Sequence, residues 1–126
     1  MRKQLLEKIH EYENTRDSYL RNASEFLEKG ELRKASEFLW GAVALQIKKT
    51  ALITQGTFIG THKQITRFIK ELARNLRDEE LLKTYRFLEK LHTNFYDEEI
   101  EPDEFEIYRK EVYKFIKKLE DIVKKR

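Results

Sequence analysis

The spacing of apolar residues in the last part of the chain is typical of an α-helix. Between residues 105 and 122 the apolar side chains recur every three or four positions: Phe105, Tyr108, Val112, Phe115, Leu119 and Ile122. Side chains at this spacing line one side of a helix, which has about 3.6 residues per turn. Pro102 precedes the stripe, where a proline suits the first helical position. The sequence therefore predicts a C-terminal helix with one apolar face.

The same periodicity predicts four further helices. The first spans about residues 5 to 27 and ends at Gly30, a residue typical of helix C-termini. Asn14 and Thr15 are good helix N-caps, so a separate helix could instead begin between Asn14 and Asp17. Both alternatives remain open at this point. The other predicted helices run from Glu31 to about Ile53, from Thr61 to about Leu76 and from Asp78 to about Phe95.

The second predicted helix has an unusual distribution of charge. Between Glu37 and Lys63 its only charged residues are Lys48 and Lys49, and apolar side chains occupy nearly every face. A helix that is apolar on all sides is normally surrounded by other helices. Gly41 costs about 1 kcal/mol relative to alanine inside a helix. We therefore expect this helix at the centre of the fold, with a neighbouring helix close to Gly41.

The composition supports an all-α fold in a single domain, residues 1–126. Only 4 glycines and 1 proline interrupt a chain rich in leucine, lysine and glutamate. Five amphipathic helices with short connections predict a single up-and-down antiparallel bundle. The abundance of lysine and glutamate and the lack of cysteine are typical of proteins from hot environments.

The composition also argues against several functional classes. There is no cysteine, hence no disulfide framework and no thiolate metal site. The longest apolar run, residues 38–47, is too short to cross a membrane, and the N-terminus lacks a secretory signal pattern. The three histidines are far apart and the acidic run after Tyr96 lacks the pattern of a calcium loop. We predict a cytoplasmic protein with no metal site and no cofactor.

Basic residues are concentrated on one face of the third predicted helix. About 80° of the helical wheel contains all five of its cations, which are Lys63, Arg67, Lys70, Arg74 and Arg77. His62 precedes them in the first turn, after a loop that lacks the glycine spacing of a P-loop. This basic stripe is suited to the phosphates of RNA or of a nucleotide. The alternative is that the stripe is a solvated surface or faces another subunit.

Arg86 and His92 on the fourth helix could together cleave RNA. An imidazole can transfer the proton of a 2′-hydroxyl or of the leaving oxygen, and a guanidinium can stabilise the charge on phosphorus. Six residues along a continuous helix leave these side chains about 120° apart, so they converge only if the helix breaks or a second subunit supplies one of them. The alternative is that His92 is a mostly buried residue near a helix end.

Four segments resemble one protein family. They are ASEFLWGAVALQIKK (Ala35–Lys49), GTH (Gly60–His62), LHTNFYDEEI (Leu91–Ile100) and VYKFIKKLEDIV (Val112–Val123), and together they are similar to the archaeal PaREP family of the HEPN superfamily. The resemblance implies a bundle of about five helices, often dimeric, associated with nucleotides or RNA. Many superfamily members are metal-independent ribonucleases, and others pair with a small nucleotidyltransferase.

The ribonuclease motif of the superfamily consists of an arginine and a histidine separated by four to six residues. Carried over to this chain, the motif implies Arg86 and His92 as catalytic residues, with Tyr96 as the nearest following tyrosine. Phe87 and Asn94 depart from the usual pattern, which has a polar residue after the arginine and a tyrosine two residues after the histidine.

Two hypotheses about function result. The first is a homodimeric binding module whose basic stripe meets RNA, a nucleotide or a nucleotidyltransferase partner. The second is an endoribonuclease in which Arg86 and His92 meet across the dimer.

Overall fold

Five α-helices form the fold in the computed structural model, which describes residues 2–93 and 100–125. They are α1 (Arg2–Glu28), α2 (Leu32–Gln55), α3 (His62–Leu76), α4 (Glu79–Thr93) and α5 (Pro102–Lys124). The described residues include no β-strand. The predicted all-α bundle of five helices is therefore confirmed. None of the helices described is long and apolar enough to span a membrane.

The second helix lies at the centre of the bundle, as its sequence predicts. α2 packs against each of the other four helices. Because neighbours surround α2, its buried side chains point in several directions, and this explains why apolar residues cover nearly all of its faces. The fully buried side chains include Ala35, Ala42, Val43, Ile47 and Ala51. The close approach expected at Gly41 comes from α1. A Cβ atom at Gly41 would lie 2.7 Å from Cδ2 of Tyr19.

The first helix continues through residues 14–17 without a break. Side chains on both sides of Asn14 are bound to other helices. Glu13 accepts a 2.8 Å hydrogen bond from Nζ of Lys49, and Nη1 of Arg16 donates bonds of 2.6 Å to Gln46 and 2.7 Å to Glu120. These contacts hold the middle of α1 against the bundle. They outweigh the local tendency of Asn14 to begin a new helix.

The capping residues predicted for the later helices are confirmed. Thr61 and Gln64 form a reciprocal capping box at the start of α3. Asp78 accepts a 3.1 Å hydrogen bond from the backbone N–H of Leu81 at the start of α4. Pro102 is the first residue of α5. Each of these three helices thus begins where the sequence places it.

Contacts between side chains give the direction of the helices. α3 and α4 are antiparallel, because His62 lies against Glu89 and Thr66 lies against Tyr85. α1 and α2 are antiparallel as well, since Glu13 in α1 meets Lys49 in the second half of α2.

The fourth helix is antiparallel to α2. Trp40, in the first half of α2, stacks on His92 near the end of α4. At the other end Asp78, just before α4, pairs with Lys118 of α5, and this part of α5 contacts α2 at Lys49. Since α3 and α4 are antiparallel to each other, α3 runs in the same direction as α2. The up-and-down alternation therefore holds at every connection except the one between α2 and α3.

The connection between α2 and α3 has to return along the bundle. Residues 56–61 contain neither helix nor strand. The seven peptide steps from Gln55 to His62 reach at most about 25 Å when extended. The helix from Trp40 to Gln55 rises about 22 Å. An extended connection is thus just long enough to place His62 beside Trp40. The contact between these two residues is part of the candidate site described below.

Candidate phosphate-binding site

The basic stripe of α3 faces solvent. Lys63, Arg67, Lys70, Arg74 and Arg77 are all exposed, whereas Ile65, Phe68 and Ile69 on the opposite face are buried. Within residues 2–93 and 100–125, none of the five cations forms an ion pair, although such pairs are common elsewhere on the surface. No carboxylate of these described residues neutralises the stripe, which favours an external anion.

A groove of about 410 Å³ runs between α3 and α4 beside this stripe. Its lining consists of His62, Lys63, Thr66, Arg67, Lys70, Arg86 and Glu89. Arg86 thus joins three cations of α3, and Glu89 is the single carboxylate among the lining residues. Four permanent positive charges around one small groove create a local positive potential, which favours a ligand with negatively charged oxygens.

Glu89 holds two of the lining residues in place. Its Oε2 lies 2.6 Å from Nε2 of His62 and its Oε1 lies 2.8 Å from Nη1 of Arg86. Burial disfavours the charged carboxylate, but hydrogen bonds from Arg86 and His62 outweigh it and lower the pKa of Glu89. Because an ionised carboxylate only accepts hydrogen bonds, Nε2 of His62 must donate.

His62, His92 and Trp40 form a cluster of three aromatic rings. The ring centroids are 5.6 Å apart in every pair, and the angles between ring planes are 27° for Trp40–His62, 11° for Trp40–His92 and 25° for His62–His92. The rings are therefore nearly parallel. The alternative that His92 is mostly buried is wrong, since 44% of its side chain is exposed. His92 is the residue before the last one of α4, which ends at Thr93.

Tyr85 supports the ring cluster from inside the bundle. It is fully buried, its ring centroid lies 5.9 Å from that of Trp40, and its hydroxyl lies 2.7 Å from Oγ1 of Thr66. Burial raises the pKa of Tyr85 to about 12, so the hydroxyl stays neutral at physiological pH. Tyr85 thus connects the core to Thr66, which lines the groove.

Arg86 and His92 are not in contact within the described part of the chain. Arg86 binds Glu89, whereas His92 stacks on Trp40 and His62, as the predicted divergence of these two positions requires. Tyr96, the third residue of the implied ribonuclease motif, lies outside the described residues. The structure instead links Arg86 to His62 through Glu89. Among the described residues there is also no group of three or more metal-binding side chains.

Sequence reasoning missed Trp40 and Glu89 as members of this site. Trp40 and Glu89 lie next to His62 only because residues 56–61 run back along the bundle. No local sequence pattern predicts that path. One contact of Glu89 could have been predicted. Arg86 and Glu89 are three residues apart on α4, so they share a helix face and can form an ion pair.

A family model matches residues 11–116, described as the archaeal PaREP1/PaREP8 family. The chain belongs to this family. The matched range covers α2, α3 and α4 completely, so both the groove and the ring cluster lie within the PaREP domain. No curated protein and no solved structure matches the chain.

Proposed function

We propose that this PaREP protein binds RNA, and that the groove between α3 and α4 holds RNA phosphates. The single observation that carries the proposal is the row of exposed cations along α3, which form no ion pair with any residue that the structure describes and which continue into the groove beside Arg86. Lysine and arginine side chains bind phosphate oxygens and release the counterions of the nucleic acid. This displacement of counterions makes binding favourable at low salt.

The length of the basic stripe favours a polymer over a single nucleotide. Lys63 and Arg74 are separated by about 16 Å along the axis of α3, at 1.5 Å per residue. One nucleotide cannot contact cations at both ends of this distance. A strand of RNA can follow the stripe with several successive phosphates, each near a different cation.

The salt dependence of binding tests this proposal. Arg67, Lys70 and Arg74 are changed together to glutamine, and RNA affinity is measured over a range of salt concentrations. Each lost phosphate contact reduces the slope of log K against log salt by about 0.7 for a single strand, so three lost contacts reduce it by about 2. The matched control changes Lys114, Lys117 and Lys125, exposed cations of the C-terminal region, to glutamine. An equal slope in the wild type and the α3 variant would overturn the proposal.

The second candidate function is metal-independent RNA cleavage by a homodimer. Arg86 and His92 are both close to half exposed, yet within one chain they are held by different partners. A second copy could bring its own arginine to the histidine of the first. In that arrangement Arg86 stabilises charge on phosphorus and His92 transfers a proton.

A mixing experiment tests cleavage across the dimer. The Arg86→Ala and His92→Ala variants are each inactive in this proposal, but their mixed dimer contains one complete pair. Random reassembly makes half of the dimers mixed, and each mixed dimer has one complete site of two, so cleavage of single-stranded RNA in the presence of chelator is expected to return to about a quarter of the wild-type level. Absence of recovery, with wild-type protein active in parallel, would contradict the shared site.

A further inference from the structure

The ring cluster beside the groove has a surface that phosphate binding does not use. We infer that His62 and His92 together form a stacking surface for a base of single-stranded RNA whose phosphates lie in the groove. This inference rests on the proposed RNA-binding function and adds a second, uncharged contact to it. It assigns a nucleobase as the ligand of His62 and His92, which are not among the five cations of the basic stripe.

Exposure of the three rings indicates which of them can meet a ligand. Trp40 is only 7% exposed, whereas the side chains of His62 and His92 are 41% and 44% exposed. The two imidazoles therefore cover the tryptophan and present their own surface to solvent. Because their planes differ by only 25°, the two exposed rings have similar orientations. An exposed aromatic ring beside a cationic groove suits the face of a base.

The ring surface and the basic groove are continuous. His62 belongs to both, since its ring stacks with His92 while its side chain lines the groove next to Lys63 and Arg67. A ligand that reaches both must carry a planar ring system within a few ångströms of a phosphate. Nucleotides of an RNA strand have this combination, and cationic grooves with aromatic rings are a common solution for binding single strands.

The surface is fixed before any ligand arrives. Glu89 holds His62 by a 2.6 Å hydrogen bond, and Trp40 fixes both rings by stacking. Trp40 in turn packs on the buried Tyr85. Few side-chain rotations are therefore lost when a base stacks, and this lowers the entropic cost of binding.

The inference predicts a preference for single strands. In a duplex the faces of the bases are covered by their neighbours, so only the phosphates remain available. Stacking on an aromatic side chain contributes about 1–3 kcal/mol per base, which is roughly 5- to 150-fold in affinity. The wild-type protein should therefore bind a short oligoadenylate more tightly than the duplex of that strand with oligouridylate, at the same salt concentration.

Three probes separate the base contact from the phosphate contacts: the single-stranded oligoadenylate, the duplex and inorganic polyphosphate. The His92→Ala variant is expected to lose about tenfold in affinity for the single strand while keeping its affinity for the duplex and polyphosphate. The His92→Phe variant keeps an aromatic ring and should retain most of the preference. His10→Ala is the matched control, because His10 is an exposed histidine on α1, which has no contact with α3 or α4.

Fluorescence gives an independent reading of the same contact. Trp40 is the only tryptophan of the chain, so its emission reports on the ring cluster alone. Single-stranded RNA should change this emission in the wild type and in His10→Ala, whereas polyphosphate should change it little.

The outcomes distinguish the inference from the function on which it rests. If the wild type binds all three probes with equal affinity and a steep salt dependence, the base contact is overturned and the phosphate groove stands. If His92→Ala lowers affinity for all three probes equally, the base contact is overturned as well. If the wild type binds none of the probes, both proposals fail. Circular dichroism of each variant verifies that the helices remain folded.

Discussion

His62 Nε2 donates a 2.6 Å hydrogen bond to Oε2 of Glu89, joining the first residue of α3 to the last part of α4. This bond is located where the extended connection from α2 ends. It therefore fixes the return path of the chain as well as the orientation of an exposed histidine. The same carboxylate binds Arg86, so one residue organises the lining of the groove.

Changing Glu89 to glutamine should destabilise the fold modestly. The substitution keeps the shape of the side chain but weakens two charge-assisted hydrogen bonds, and we expect a loss of about 1 kcal/mol in the free energy of unfolding. Urea denaturation measures this loss. Glu71→Gln, which removes an exposed carboxylate from α3, serves as the control and should change stability little. Equal stability of the two variants would show that Glu89 does not hold the site together.

Local sequence signals were sufficient for the starts of α3, α4 and α5. The capping box of Thr61 and Gln64, the cap at Asp78 and the proline at position 102 each act within one turn of helix, and all three were predicted. The exposure of the basic stripe was predicted as well, since the period of a helix determines which side chains share a face.

The site itself depends on contacts between distant residues, and the sequence could not predict these. His92 shares a face with Tyr85 and Leu88, which suggested burial, but it lies near the end of α4, where its half-exposed side chain contacts Trp40, His62 and Glu37. That neighbourhood results from the parallel course of α2 and α3. The continuity of α1 through Asn14 likewise depends on bonds to helices that follow much later in the chain.

Replacing Gly41 by alanine should destabilise the protein, although alanine favours helices. The new Cβ atom would lie 2.7 Å from the ring of Tyr19, which is itself packed against Phe38. Overpacking of this kind costs about 1–3 kcal/mol, and over most of this range the cost exceeds the roughly 1 kcal/mol gained in helix propensity. Thermal and urea unfolding measure the difference.

Two further variants test the explanation for Gly41. In a Tyr19→Leu background the ring is absent, so Gly41→Ala should become neutral or stabilising. Gly60→Ala is the matched control, because no atom lies within 4 Å of a Cβ at that position. If Gly41→Ala destabilises both backgrounds equally, the contact with Tyr19 is not the reason for the glycine.

Lys49 should be important for stability because it is a charged residue inside the bundle. Its side chain is 6% exposed, and its Nζ lies 2.8 Å from Glu13 and 2.6 Å from Glu120. Lys49→Met keeps the volume but leaves the two carboxylates without this partner, which should cost about 3 kcal/mol. Lys48→Met is the control, since the neighbouring Lys48 is only partly buried. A Lys49→Met variant as stable as the wild type would mean that the buried charges contribute no net stability.

Glu120 should make the stability of the protein sensitive to acid. Burial opposes its ionisation, but hydrogen bonds from Lys49 and Arg16 outweigh this and lower its pKa in the folded state. A glutamate in the unfolded chain has a pKa of about 4.3. Below this pH the unfolded chain binds a proton more readily than the folded one, so stability falls as the pH drops toward the lower folded pKa.

Glu120→Gln tests this pH dependence directly. The variant has no charge to lose at position 120, so it should be less stable than the wild type at pH 7 but should lose less stability between about pH 5 and pH 3. Urea midpoints measured across this range for both proteins give the two slopes. Asp121→Asn provides the comparison, because Asp121 is an exposed acid on the same helix. If the wild type and Glu120→Gln lose stability in parallel on acidification, the ion cluster joining α1, α2 and α5 is not the source of the acid sensitivity.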